Sequence, residues 1–480
     1  MNKNLFQNFS IQLSDSEQEI VFKVADAAKF INADAYLIGG YVRDKILGRP
    51  VKDIDIMCTG SGTELADAFA KQFSPNLNVN HFKRFGTAQV KTGEWEIEFV
   101  GARKESYSTD SRKPAVEAGT FNDDVSRRDF TINTLAVSLR ENDFGKLIDV
   151  FDGMVDLENK IIRTPLDADI TFSDDPLRMM RAARFCSQLE FMVDPTIVTA
   201  INKLAPRMEI ISAERIHDEL VKLIMGIAPR LGLTLLVETG LAEYVLPEIP
   251  KLKLEVDEHH HHKDVYEHTL KVLEQAIALE DRLGGPSLVI RLAALLHDIG
   301  KPKTRELIPG GGVSFHHHEV VGSKMAKERL KALRFSNEIV SDVSKLVFLH
   351  LRFHGYGNGE WTDSAVRRYV RDAGDLLTHL HVLTRADCTT RNSKKAANLA
   401  ATYDALEARI TALKAQEELD AIRPDLDGKA IMDILGIKPS PLVGKAYDYL
   451  LELRLEHGPL GEEKAKAELL NWWKENAPKI

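Results

Sequence analysis

The chain has 480 residues, too many for one hydrophobic core, so about three domains and more than one site are expected. Its 63 basic and 72 acidic residues leave a formal charge of -9, which excludes a protein that coats nucleic acid along its whole surface, because such binding rests on many phosphate contacts. No apolar run approaches the ~20 residues of a membrane span, the first residues lack the basic-then-apolar order of a signal peptide, and Cys58, Cys186 and Cys388 are scattered without disulfide-framework or zinc spacing. A cytoplasmic, reducing setting is expected.

In chain order, a helix is expected from Asp15 to Asn32. The segment AYLIGGYVRDKILGRPVKDIDIMCTG, residues 35–60, then alternates strand, glycine turn, short helix and acid-bearing strand. Further strands are expected at His81–Thr92 and Trp95–Val100, the latter alternating as a half-buried strand does. Lys104–Asp124 is charged and rich in Ser, Pro and Gly without periodicity, and reads as a long mobile loop. From Pro176 the pattern is helical, with breakers at Pro195, Pro206, Gly232, Gly240, Pro247 and Pro250. Arg178, Arg181 and Arg184 recur every three residues, as a basic helix face or a merely solvated one. Thirteen of the sixteen histidines then fall between His259 and His381, which marks a second unit starting near Val256. These divisions give an α+β head at 15–150, a helical neck and body at 151–250, a histidine-rich all-α domain at 256–400 and a helical tail at 401–480.

Asp53 and Asp55 carry the sharpest signal of the first domain. Residues i and i+2 of a strand share a face, so both carboxylates point the same way and suit one or two divalent cations. Gly39 and Gly40 precede a short helix upstream, where backbone N–H groups suit a phosphate. Glu98, on the later alternating strand, is a candidate third carboxylate, and Glu96 shares its face.

LIGGYVRDKILGRPVKDIDIMCTG resembles the signature of the class II tRNA nucleotidyltransferase and bacterial poly(A) polymerase family, in the DNA polymerase beta superfamily. Four further motifs resemble that family's in order: RRDFTINTLA (127–136), FDGMVDLENKIIRTP (151–165), DDPLRMMRAARF (174–185) and ERIHDEL (214–220), so that the likeness covers roughly residues 30–225. Asp174 stands where the family commonly has Glu. The resemblance implies a polymerase-beta-like head that binds Mg2+ through Asp53 and Asp55, with Arg43 and Asp44 supporting the triphosphate and the metal turn. It implies that Arg128, Asp129 and Asn133 hold ribose and phosphates, that Arg181 and Arg184 continue the phosphate clamp, and that Asp175 and Arg178 read the base. An acceptor beside a donor suits the edges of cytosine and adenine, whereas uracil and guanine set carbonyl against carboxylate. The implied activity is template-independent addition of CCA to tRNA from CTP and ATP. The alternatives are a poly(A) polymerase, an enzyme adding only CC or only A, or an HD phosphohydrolase whose head merely binds RNA.

His268, then a helix later His297 and Asp298 in LAALLHDIGKP, and far downstream Asp387 in LTRADCTTRN, follow the ligand order of the HD superfamily of metal-dependent phosphohydrolases, which they resemble. Imidazole mixed with carboxylate suits Mn, Fe, Ni, Co or Mg better than a closed zinc site. His318 and His350 are candidates for a second metal position, and the His259–His262 run reads as a solvated loop. The tail at Leu426–Gly458 also resembles the end of the nucleotidyltransferase family, with LGIKPSPLVG turning a helix N-terminus toward an RNA backbone.

Overall fold

The computed structural model describes residues 9–74, 76–82, 86–108, 111–254, 264–309, 313–355, 362–390, 392–417 and 422–477. The chain divides into two compact units, Met1–Val245 and Leu246–Ile480. The His259–His262 run lies outside the described residues.

The first unit opens with α1 (Asp15–Phe30), started by a reciprocal capping box between Ser14 and Glu17. There follow β1 (Ala35–Ile38), α2 (Gly40–Ile46), β2 (Asp53–Cys58), α3 (Gly62–Phe73), β3 (Val79–Phe82), β4 (Thr87–Thr92), β5 (Trp95–Gly101), β6 (Arg103–Ser108), β7 (Ser111–Ala118), α4 (Phe121–Ser126), β8 (Ala136–Ser138) and β9 (Leu147–Ile148). Seven strands form one mixed sheet in the order β3-β4-β5-β2-β1-β8-β9. Its one parallel pair among these is β2 with β5, which sets Asp55 opposite Glu98 and Asp53 opposite Glu96. Alternation then sorts the two faces. Ile97 and Phe99 turn toward α3, where Phe99 meets Phe69 at 5.4 Å, and Glu96, Glu98 and Val100 take the other face. On that second face Tyr36, Ile38, Met57, Ala102, Val125 and Ala136 form a buried cluster, so the carboxylates prolong a packed surface.

Two expectations are corrected here. His81–Thr92 is not one strand: β3 and β4 pair antiparallel from Val79↔Val90 to Phe82↔Thr87. Lys104–Asp124 is not a loop: β6 and β7 pair as a hairpin from Arg103↔Ala118, with a register shift between Ser106 and Ser108, and α4 follows. A hairpin that pairs only with itself needs no apolar face against the main sheet, so it leaves little hydrophobic alternation to read.

The unit continues with α5 (Gly153–Asn159), β10 (Ile161–Ile162), α6 (Ala168–Asp174), α7 (Leu177–Leu189), β11 (Met192–Val193), α8 (Pro195–Leu204), α9 (Ala213–Ile224), α10 (Pro229–Glu238) and α11 (Ala242–Val245). Gly232 is not a breaker but lies inside α10, where a Cβ would run into the Ala183 carbonyl oxygen. Its missing side chain is what lets α10 press on α7.

The second unit is helical, apart from a short hairpin, among its described residues. It runs α12 (Val265–Ile277), α13 (Leu288–Leu296), β12 (Glu306–Leu307), β13 (Val313–Ser314), α14 (His318–Ala332), α15 (Asn337–Leu349), α16 (Arg352–Gly355), α17 (Asp363–Ala373), α18 (Leu377–Ala386) and α19 (Ser393–Glu417). The tail, α20 (Gly428–Leu435), α21 (Pro441–His457) and α22 (Glu462–Asn476), has its own small core of Ile431, Ala446, Leu450, Ala465 and Leu469. Among the described residues no helix is long and apolar enough to cross a membrane.

One buried carboxylate ties α1 to the glycine turn. Glu17 is 1% exposed and accepts from Tyr41 Oη at 2.8 Å and Lys45 Nζ at 2.9 Å, both on α2. Burial would raise its carboxyl, but the Ser14 backbone N–H and Lys45, with the Ser14 and Tyr41 hydroxyls, outweigh that and lower it. Glu17→Ala is expected to destabilise the fold by about 1–3 kcal/mol, because it strands the Tyr41 hydroxyl and the Lys45 ammonium. Thermal denaturation should show the loss at neutral pH. Since the folded carboxyl titrates below its ordinary value, the difference from wild type should shrink as pH falls below about 4.

Candidate active-site cleft and candidate metal centre

A cleft of about 340 Å³ opens over β2 and β5, and among its walls are Asp55, Glu98, Arg127, Arg128, Asp129, Asp175, Arg178, Arg181 and Arg215. Asp55 and Glu98 meet there because parallel pairing puts them side by side. Glu96 is drawn off by Gln89 Nε2 at 3.1 Å and by Lys91, which leaves Glu98 beside Asp55 in the cleft wall, while Asp53 stands exposed at the start of β2 and is not among the lining residues. Burial pushes the Asp55 carboxyl up to about 6; Arg128 and Arg43 oppose the rise, and Glu98 and Asp53 add to it. That excess of negative charge is what a divalent cation would relieve, so the donors fit one. The three carboxylates are nevertheless not gathered as tightly as the histidine clusters described below.

Gly39 caps α2 with φ +77°, a left-handed conformation that favours glycine. A Cβ there would lie 2.8 Å from Arg128 Nη1 and 3.4 Å from Asp55 Oδ2, so the site needs a glycine twice over. Its own N–H donates to the Leu135 carbonyl at 3.1 Å, and the expected phosphate cradle therefore passes to Gly40 and the residues after it.

Behind the carboxylates the polar side chains are tied to one another. Arg43 donates to Asp44 through Nε at 3.0 Å and Nη2 at 2.7 Å, and through Nη1 to Asn133 Oδ1 at 2.6 Å. Asn133 Nδ2 donates to Asp129 Oδ1 at 2.9 Å, and Arg181 Nε donates to Asp129 Oδ2 at 2.7 Å. Burial alone would raise the Asp129 carboxyl, but Arg181 and Asn133 hold it well below the usual carboxylate range. Arg128 grips Asp124 through Nε at 3.2 Å and Nη2 at 3.1 Å, and Arg127 binds the same carboxylate. Arg184 lies 3.0 Å from Glu219, and burial, with Arg181 beside it, pushes its guanidinium down to about 10. Arg43, Arg181 and Arg184 surround the Phe185 ring at 4.9, 5.6 and 4.3 Å. The arginines of α7 are thus no exposed basic face: Arg178 and Arg184 are buried, and Arg181 is half-buried in ion pairs.

Asp175 and Arg178 both line the cleft, but not as two positions on one helix face. Asp175 lies in the extended link before α7, at φ -139° and ψ 104°, because Pro176 follows and keeps its predecessor out of helical geometry. Its Oδ1 accepts from Leu177 N at 3.1 Å and its Oδ2 from Arg215 Nη2 at 2.7 Å. Arg178 donates through Nη2 to the Arg127 carbonyl at 2.7 Å and through Nη1 to the Thr171 carbonyl at 3.2 Å.

The second unit gathers all six expected HD ligands into two adjoining sets, His268–His297–Asp387 and Asp298–His318–His350. Each set has its donor atoms within 4.8 Å of one another. Three of the imidazoles are oriented alike: Nδ1 of His297 bonds to the Ala294 carbonyl at 2.8 Å, that of His318 to Phe315 at 2.8 Å and that of His350 to Val347 at 2.6 Å. A carbonyl only accepts, so each Nδ1 carries a proton and each Nε2 is turned toward the cluster. Nε2 of His297 and His268 stand 3.3 Å apart, as do those of His318 and His350, so the imidazole nitrogens converge as ligands of a shared cation would. Asp298 bridges the sets, with Oδ1 3.3 Å from His318, and Oδ2 3.2 Å from His297 and 2.9 Å from Lys301 Nζ. Burial would lower His297, but Asp298 and Asp387 outweigh it and push the imidazole up to about 9, while burial sends His350 down to about 3. Asp298 and Asp387 are held below the usual carboxylate range: burial opposes this, and the neighbouring histidines win. His317 sits at φ +62°, an unusual conformation for a non-glycine residue, and the turn it makes swings His318 inward.

Residues 35–163 match the poly A polymerase head domain, 190–252 the probable RNA and SrmB-binding site of polymerase A, and 265–392 the HD domain. The A-adding tRNA nucleotidyltransferase of Deinococcus radiodurans is 32% identical over 454 residues, 92% of this chain and 96% of that one. The chain belongs to the class II tRNA nucleotidyltransferase family. A CCA-adding enzyme of Ligilactobacillus salivarius is 41% identical over 213 residues, 44% of this nucleotidyltransferase and 50% of the relative. The solved Bacillus stearothermophilus CCA-adding enzyme in complex with CTP aligns with a TM-score of 0.68 at 22% identity, covering 96% of this chain and 99% of that one. The shared fold is a polymerase-beta-like head followed by a helical body.

Sequence reasoning on this nucleotidyltransferase missed Arg215, Glu219, Asp124 and Phe185. The first two lie in ERIHDEL, so the motif was visible while its partners across the fold were not. Gly300 was also passed over. A Cβ there would strike the His318 carbonyl oxygen and lie 2.7 Å from Gly322 N, so its absence lets α14 approach the His297–Asp298 turn. Gly300→Ala is expected to push His318 away from Asp298 and lower bound metal by at least about tenfold in affinity, as loss of oriented outer contacts commonly does. Metal content after dialysis against a graded chelator would measure this, and wild-type retention would refute it.

Proposed function

We propose that this nucleotidyltransferase adds CCA to the 3′ end of tRNA from CTP and ATP, the protein and not a template reading each base. The observation that carries this is one cleft lined both by metal-type carboxylates, Asp55 and Glu98, and by an acceptor and donor, Asp175 and Arg178. Asp53, Asp55 and Glu98 would hold Mg2+. Bound magnesium supplies Lewis acidity at the attacking hydroxyl and neutralises triphosphate charge. Gly40 and the start of α2 approach the phosphates as backbone, Arg43 and Arg128 offer positive charge from positions already fixed by Asp44 and Asp124, and Asn133 and Asp129 hold the ribose side. Arg181 and Arg184 extend the positive wall. Asp175 accepts the amino group of cytosine or adenine while Arg178 donates to the adjoining ring nitrogen, and uracil or guanine would set like against like.

A second reading, addition of the terminal A alone, is favoured by one observation: a relative aligned along nearly the whole chain at 32% identity is named an A-adding enzyme. Purified protein is incubated with tRNA transcripts ending before CCA, after C and after CC, each triphosphate supplied separately. Incorporation of C on the first two and A on the third supports CCA addition, and A on the third alone supports the second reading. Asp55→Ala should lower incorporation by at least about 10³-fold with an unchanged melting temperature, since it removes a ligand the chemistry needs. Near wild-type activity would sink the carboxylate assignment.

For the second unit we infer a metal-dependent phosphohydrolase that acts on a phosphate ester, a 2′,3′-cyclic phosphate or a phosphomonoester. His268, His297, Asp298 and Asp387 would hold one divalent ion, and His318 and His350, with the bridging Asp298, a second. Mn, Ni, Co, Fe and Mg all suit this donor set, and such an ion supplies a hydroxide from bound water near neutral pH. His297→Ala combined with Asp298→Ala should abolish both bound metal and hydrolysis while leaving nucleotide incorporation within about twofold of wild type, since the nucleotide site has its own ligands. A protein that binds no metal and hydrolyses neither ester with any of these ions would refute the inference.

A further inference from the structure

We propose that Arg215 is a positioning residue for base selection, its guanidinium holding the Asp175 carboxylate in the orientation that meets the incoming base. The inference rests on the reading of Asp175 and Arg178 as the base-reading pair. The two members of that pair are anchored by different means. Arg178 is anchored by backbone carbonyls, those of Thr171 at 3.2 Å and Arg127 at 2.7 Å. Asp175 stands on an extended link and has no helical turn beneath it to limit its side chain. It has two tethers: the Leu177 N–H on Oδ1 at 3.1 Å, and on Oδ2 the Arg215 guanidinium, reaching across from α9 at 2.7 Å. Arg215 and Asp175 both line the cleft, with side chains 40% and 24% exposed, so this ion pair forms part of the wall that a base would touch.

Each carboxylate oxygen carries two lone pairs, and each tether uses one. One acceptor position per oxygen therefore remains, in a direction set by the two tethers together. With the Leu177 tether alone, the carboxylate is free to turn about its terminal torsion, which is broad for aspartate. A turned carboxylate loses its bond to the amino group of cytosine or adenine. It also ceases to oppose the carbonyl of uracil or guanine. Arg215 thus serves discrimination in both directions, by keeping the acceptor where the right base needs it and the wrong base is repelled by it.

The test compares Arg215→Ala, Arg215→Lys and Asp175→Asn in the full chain, by single-turnover incorporation of CTP, ATP and UTP on a tRNA transcript ending before CCA or after CC, with thermal denaturation of each variant. Loss of one charge-assisted hydrogen bond implies that Arg215→Ala raises KM for CTP and ATP by on the order of tenfold. Its preference for CTP over UTP should fall by a similar factor, while kcat at saturation and the melting temperature stay near wild type. Arg215→Lys, which keeps the charge and loses the planar fork, should restore part of the preference. Wild-type KM and preference in Arg215→Ala, with preference lost in Asp175→Asn, would overturn the role of Arg215 and leave the base-reading pair standing. A fall in kcat and melting temperature with preference intact would make Arg215 merely structural and overturn it as well. Wild-type preference in Asp175→Asn would remove the base-reading pair itself, and this inference with it.

Discussion

The Asp129 carboxylate is buried beneath the cleft, and an unpaired charge there would cost several kcal/mol. Arg181 of α7 meets it at 2.7 Å, Asn133 at 2.9 Å and the Phe130 N–H at 2.9 Å. Those contacts join three otherwise separate parts of the head. Through Asn133 the carboxylate reaches Arg43 and so the glycine turn of α2; through Arg181 it reaches Glu219 and α9. The position of α7 over the sheet, and with it the place of Arg178, depends on this pairing. An electrostatic requirement to neutralise one buried acid becomes a geometric rule for where the wall of the cleft stands.

Residues whose chemistry follows from local spacing were legible in the sequence. Asp53 and Asp55 share a strand face by alternation alone, and His297–Asp298 announced a ligand pair at the end of an apolar helix. Glu98 could not be separated from Glu96 on paper, since alternation gives both the same face. Only the sheet neighbour decides, because Lys91 and Gln89 on β4 take Glu96. Partners supplied from elsewhere in the chain were invisible for the same reason: Arg215 reaches Asp175 across forty residues, and Arg181 reaches Asp129 across fifty-two. The β6–β7 hairpin was misread because composition reports burial, and a ribbon paired only with itself need bury little.

The two units treat clustered charge in opposite ways. In the head, positive and negative groups are matched within the protein: Arg43 with Asp44, Arg128 with Asp124, Arg181 with Asp129, Arg184 with Glu219. Asp53, Asp55 and Glu98 stand outside these four pairs. In the second unit it is ligand-type atoms that converge. Backbone carbonyls take the Nδ1 protons of three buried histidines, which turns their Nε2 atoms inward upon two carboxylates. The Lys301 ammonium lies 2.9 Å from Asp298, on the turn closed by the Lys301 N–H on the Asp298 carbonyl at 3.0 Å. Matching within the protein leaves a wall suited to a charged substrate; imidazole nitrogens converging on two carboxylates leave a donor set suited to a cation.

On the proposed reading of Asp175 and Arg178 as the base-reading pair, that pair also limits where product length can be decided. Cytosine and adenine offer the same amino donor beside the same ring acceptor, so Asp175 and Arg178, however well held, accept both. A carboxylate and a guanidinium therefore exclude uracil and guanine but cannot rank cytosine against adenine. What differs between the two is size: adenine carries a second ring, and the same edge contacts place its sugar farther from the pair. The choice between C and A must then lie with groups that set the distance from the pair to the metal carboxylates, since that distance fixes which base leaves the α-phosphate in line with the RNA hydroxyl. In this fold the pair sits at the start of α7 and the carboxylates on β2 and β5. The elements that span the two are the α4 turn, which carries Arg127 and Arg128, and the Asp129–Arg181 link. A family whose relatives are named for adding A alone or CCA is therefore expected to vary along that span, with the Asp175–Arg178 pair held constant.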